Sequence, residues 1–139
     1  MRKPGTILSP ECKNYAQDIE TISGVPQDIA LQLLRLVESL ICQRICEQVQ
    51  ENKKNEINKP INVEIPLIGN LIITSQTWHK HHTRTDKPST HFNFEFKPLS
   101  TFKTHISKIY LKDECELISL LSESYAKILV DTYKNLLDN

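Results

Sequence analysis

The sequence, 139 residues long, predicts an α+β fold in which helices at both ends of the chain flank a small antiparallel sheet. Three observations carry this expectation. From Pro26 to about Gln50 apolar residues return at steps of three and four, as one face of a helix requires. Between Ile61 and Phe96 the period falls to two: Ile61, Val63 and Ile65, and later Phe92, Phe94 and Phe96, alternate with polar residues. Beyond Pro98 the helical spacing returns and runs to the final "LLDN".

Each element has its own local signals. Ser9, Pro10 and Glu11 read as an N-cap, a first-turn proline and a carboxylate suited to the positive end of a helix dipole, so a first helix starts there. It carries Tyr15, Ile19 and Ile22 on one side and stops at "SGVP", where Gly24 can take a positive φ and Pro26 cannot continue the helix. The second helix carries Ile29, Leu33, Leu36, Val37, Leu40, Ile41, Ile45 and Val49. Leu31, Leu34 and Cys42 widen its apolar face beyond one side, which invites a dimer or a second packing layer. "ENKKNEINKP", from Glu51 to Pro60, lacks periodicity and reads as a loop or a frayed helix end. "INVEIPLIGNLIIT" then gives two strands meeting at a corner broken by Pro66 and Gly69, and "HFNFEFKP" gives a third, with its three phenyl rings on one face, pairing with the strand of Leu71 and Ile73. Leu99, Phe102, Ile106 and Ile109 or Tyr110 predict a short helix. "DECE" opens a last one with Leu117, Leu121, Tyr125, Ile128, Leu129, Tyr133 and Leu136 as its stripe.

Composition narrows the function classes. The apolar and charged fractions, 39% and 24%, are those of an ordinary globular chain with one modest core. Apolar runs such as "IALQLL" and "LISLL" fall far short of the roughly 20 residues of a membrane span, and "MRKPGTILSPECK" has no signal-peptide core, so no membrane partner and a cytoplasmic location are expected. Cys12, Cys42, Cys46 and Cys115 lack the paired spacing of a zinc knuckle and are expected reduced and mostly buried. Cys42 and Cys46, one turn apart, suit core packing better than metal binding. Net charge is zero but unevenly spread. From Thr77 to Lys112 seven basic residues face only Asp86 and Glu95, a net of +5, while the remainder carries ten basic and fifteen acidic residues. All five histidines fall in the positive segment and add charge below about pH 6.5, so an anionic partner is expected for that part.

The order of helix, turn, long helix, strand, glycine corner, hairpin and closing helix resembles the HU/IHF family of bacterial DNA-bending proteins. Three stretches carry the resemblance. "SGVPQDIALQLLRLVESLI" looks like the family's inter-helix turn and second helix. "VEIPLIGNLII" looks like its strand and corner, through Pro66, Ile68, Gly69 and Leu71, and "FKPLSTFKTHI" looks like its last strand and closing helix, through Phe96, Lys97, Phe102, Lys103 and Ile106. The likeness spans about Ser9 to Ile109. It implies an HU/IHF-like domain over residues 1–112 with a protruding β-hairpin arm at about 74–92, and an additional C-terminal helix, 113–139, packed on the same domain. It further implies an intertwined homodimer, double-stranded DNA as partner, a place in the nucleoid and no enzymatic activity. Departures accompany it: Leu67 stands where the family commonly has a first glycine, the arm is shorter, the Arg-Asn-Pro tip is absent, and the last helix has no counterpart.

The arm stretch "TWHKHHTRTDKPSTHF" concentrates the candidate site. Lys80, Arg84 and Lys87, with Lys97 and Lys103, are expected to contact phosphate; His82 reinforces that surface when protonated. Trp78 either stacks on a base or packs within the arm, and Pro88 is the one candidate for a wedge between base steps. A metal site would need His79, His81, His82 and His91 to converge with Asp86, which the spacing does not favour. A Ser89, His91, Asp86 triad lacks a nucleophile elbow or oxyanion loop, so no metal, cofactor or catalytic residue is expected. The rival reading is an HU-fold interaction module that has lost DNA binding, its last helix docking a protein partner or capping the dimer.

Overall fold

The computed structural model describes residues 10–78 and 89–138, the side chains of Thr77, Trp78 and Ser89 excepted. Among these residues the chain forms an α+β fold with the order α1 (Pro10–Ser23), α2 (Gln27–Lys54), β1 (Ile61–Ile65), β2 (Gly69–Trp78), β3 (Ser89–Pro98), α3 (Ser100–Lys112) and α4 (Cys115–Leu137). The strands make one antiparallel sheet in the order β1-β2-β3. Expected and observed elements agree in number and type. The N-cap expected at Ser9 lies outside the described residues. α2 outruns its expected end by a turn, because Glu51, Lys53 and Lys54 are good helix formers and the two lysines sit favourably at the negative end of its dipole.

The chain divides into two units, residues 1–38 with 113–139 and residues 39–112, and the division falls within α2. In the first unit α1 packs against α4 through two alanines, Ala16 (0% exposed) and Ala126 (7%), whose short side chains let the helices approach closely. The α1–α2 turn is held by several bonds. Gly24 takes φ +80°, which a side chain disfavours, and its N–H donates to the Glu20 carbonyl at 2.8 Å. The Glu20 carboxylate then accepts the Gln27 N–H at 2.9 Å, serving one of the unpaired donors at the start of α2. Val25 and Ala30 are buried beside this turn.

In the second unit the register fixes the two faces of the sheet. Ile61 and Val63 of β1 stand opposite Ile73 and Leu71 of β2, which stand opposite Phe94 and Phe96 of β3, and Ser75 faces Phe92, so these residues share one apolar face. Asn62, Glu64, Asn70, Thr74, Gln76, His91, Asn93, Glu95 and Lys97 make the other, around a central Ile72. The corner between β1 and β2 places Leu67, the residue standing where a glycine was expected, at φ +69° and 84% exposed, a left-handed conformation that costs a leucine roughly 1–2 kcal/mol. Gly69 is needed for a different reason. A Cβ there would come within 2.6 Å of the Lys97 carbonyl oxygen and of the Phe96 ring. The free side of β1 is met by Gln48 of α2: its carboxamide donates to the Asn62 carbonyl at 2.6 Å and accepts the Asn62 N–H at 2.9 Å.

The core is thinner than the composition suggests. Among the described residues Ala16, Val25, Ala30, Ile61, Val63 and Ala126 are its buried apolar residues, and no large side chain is fully enclosed. The expectation of mostly buried cysteines is corrected: Cys42, Cys46 and Cys115 are exposed and Cys12 is half-buried. On α2 the inward positions are Ile41, Ile45, Gln48 and Val49. Cys42 and Cys46 each stand one residue, about 100° of helix rotation, further round.

Candidate nucleic-acid interface

Every residue expected at the site falls within residues 39–112, the second unit. Residues 39–112 carry eleven basic against six acidic side chains and all five histidines, whereas residues 1–38 with 113–139 carry six against eleven. The positive potential therefore belongs to the unit built on the sheet.

The sheet gives this charge a shape. β1 pairs only with Gly69–Ile73, while β2 and β3 remain paired from Gly69 opposite Pro98 to Trp78 opposite Ser89. Thr74–Trp78 with Ser89–Asn93 thus form a two-stranded ribbon beyond the end of β1, five residue pairs or about 17 Å long at the rise of an antiparallel strand. These strands overlap the stretch in which the arm is expected, about 74–92. The ten residues that join its strands, 79–88, include Lys80, His82, Arg84, Lys87 and Pro88, and these expected contacts lie outside the described residues. So do His79, His81 and Asp86, which the metal and triad readings required. Among the described residues no group of three His, Cys, Asp or Glu side chains comes together to hold a metal.

Of the expected phosphate contacts, Lys97 and Lys103 are described and both are exposed. Lys97 stands on the polar face of β3 opposite Asn70, four residue pairs below the start of the ribbon at the far end of the sheet. Lys103 lies in the first turn of α3, where its N–H donates to the Leu99 carbonyl at 2.9 Å. The two are tied to one corner, because the Leu99 N–H in turn donates to the Ile68 carbonyl at 2.9 Å and so fixes the start of α3 against the β1–β2 turn. Trp78 closes the described ribbon, its backbone paired with Ser89. His91 lies on β3 opposite Gln76, on the polar face, with an exposed side chain.

The apolar face of the sheet is only half covered. Val63 is 2% exposed, but Phe92, Phe94 and Phe96 are 61%, 63% and 45% exposed. A cavity of about 400 Å³ opens there, lined by Ile45 and Val49 of α2, Ile57, Ile61, Ile73 and Phe94, with Lys53 and Lys59 also on its lining. Sequence reasoning did not single out these two lysines, because they fall in the polar stretch at the end of α2, where a basic residue signals only a helix terminus. In the first unit α2 exposes a comparable stripe, Ile29, Leu33 and Leu36, at the spacing of four and three that suits a partner helix.

No family model, no curated protein and no solved structure matches the chain. No helix among the described residues is long and apolar enough to cross a membrane.

Proposed function

We propose that the protein is an HU/IHF-like architectural DNA-binding protein that works as a homodimer, gripping duplex DNA with little sequence preference and bending it through two arms. One observation carries the reading. A two-stranded ribbon extends beyond β1 on the basic unit, and its strands are joined by a segment holding Lys80, Arg84, Lys87 and three histidines. The exposed phenylalanine face and the α2 stripe supply the area a second copy would bury, since apolar surfaces of this extent are rare on a monomer.

In this reading the arm cations neutralise phosphates and release condensed counterions, while Lys97 and Lys103 hold the duplex at the β1–β2 corner of the sheet. Arms lying in the minor groove favour deformable sequences, Trp78 stacks on sugar or base, His82 adds charge as the pH falls, and Pro88 serves as the wedge at a kinked step. No step requires a catalytic group, metal or cofactor. Such a protein would reside on the nucleoid.

A specific observation keeps a second reading alive. The first unit, which includes α4, has a surplus of acidic side chains, as a protein-docking module of this fold would have. Titrating a short labelled duplex at several salt concentrations separates the two. With the three arm cations, Lys97 and Lys103 on each of two protomers, the slope of log affinity against log salt is expected at about −9, and Lys80→Ala/Arg84→Ala/Lys87→Ala should reduce it to about −4. No binding at about 50 mM salt, or binding indifferent to salt, rules out the architectural role.

A further inference from the structure

α4 is apolar on more than the side it turns to α1. With 100° of rotation per residue, Leu117, Leu121 and Ile128 fall within about 40° of one another and roughly opposite Ala126, the residue buried against α1. Leu117 and Ile128 are 44% and 59% exposed, and Leu120, beside them, is 59% exposed. A helix with apolar stripes on two sides is one that packs on two sides.

The charges beside this stripe say what covers it. Glu116, Glu123, Lys127 and Lys134 also fall within about 40° of one another, along the edge next to Leu120, and all four are exposed. They are arranged with opposite signs about Tyr125: Glu123 and Lys127 are each two residues away, Glu116 and Lys134 each nine. When two identical helices pair antiparallel about a two-fold axis, the same edge of each meets the other in reverse order. Glu116 then faces Lys134 of the second copy, and Glu123 faces its Lys127, each pair occurring twice. A parallel pair would set this edge against the opposite edge of the second helix and make none of these four ion pairs.

We propose that α4 is a self-association helix, pairing antiparallel with α4 of a second copy through Leu117, Leu120, Leu121 and Ile128 and selecting that orientation with its Glu–Lys edge. The contact is isologous and closes on itself. It uses no residue of the arm or of the sheet, so it stands or falls separately from DNA binding.

Sedimentation equilibrium of the full chain at about 50 mM salt tests it, α4 pairing being read as the dimer-to-tetramer step where the dimer of the proposed function forms and as the monomer-to-dimer step where it does not. Glu116→Lys/Glu123→Lys gives an all-basic edge and Lys127→Glu/Lys134→Glu an all-acidic one; each should weaken self-association at least tenfold while keeping the wild-type helical circular dichroism. An equimolar mixture of the two variants, and the single chain carrying all four substitutions, should restore it, because opposite signs face each other again. Wild-type association by both variants, as when α4 is covered by a different protein, or a mixture that restores nothing, overturns the proposal.

Discussion

The two units bury apolar surface in opposite ways. The first closes α1 on α4 with alanines, Ala16 and Ala126, and leaves large side chains such as Tyr15, Ile22 and Tyr125 on the lips of a cleft. The second buries branched residues, Ile61 and Val63, and leaves three phenyl rings uncovered at the far strand. Small residues at a helix contact bring backbones close but enclose little volume; a sheet face encloses more but needs a full layer above it, which α2 supplies on one side only. Both units, with opposite charge surpluses, thus display much of their apolar area.

Breaking one unit at a time sharpens the contrast. The largest effect is expected from Gly69→Ala, since the new methyl meets the Lys97 carbonyl and the Phe96 ring, and a backbone carbonyl held in a ladder cannot give way. A loss of about 3 kcal/mol is expected, read as a lower denaturant midpoint with amide protection lost first in β1, β2 and β3. Ala16→Leu drives a wedge between α1 and α4 and should cost about 2 kcal/mol, with protection lost first in those helices while the sheet keeps its own. If both variants lose protection everywhere at once, the units unfold together. The smallest effect has the opposite sign. Leu67→Gly relieves the left-handed corner at roughly 1–2 kcal/mol and forfeits about 0.5–1 in chain entropy, so a gain of about 0.5 kcal/mol is expected as a slightly raised melting temperature, which Leu67→Ala should not reproduce.

Much of the fold was legible because each element carries a period that its environment enforces. The alternation of Phe92, Phe94 and Phe96 is the pleat of β3, and the four-and-three spacing of Ile41, Ile45 and Val49 is the inward face of α2. What was not legible depends on tertiary context. Cys42 follows Ile41 by one position, and only the placement of the sheet decides that Ile41 turns inward and Cys42 outward. Nothing in the continuous apolar pattern of α2 marks the place, between Glu38 and Ser39, where one unit gives way to the next. Of the candidate site, Lys97 and Lys103 could be assigned to their elements from sequence because both sit in periodic segments. The lysines lining the cavity beside Phe94 could not, since they become neighbours of the apolar face only once the loop from Ile57 to Pro60 returns the chain to β1.

Gln48 has a consequence for what the sheet can recruit. An edge strand offers alternating donors and acceptors to any extended peptide, and through them sheets grow by accretion. At Asn62 both offers on the outer side of β1 are already taken by one carboxamide, which imitates a neighbouring strand one residue long and then stops. A peptide approaching from that side must first evict a side chain anchored in α2.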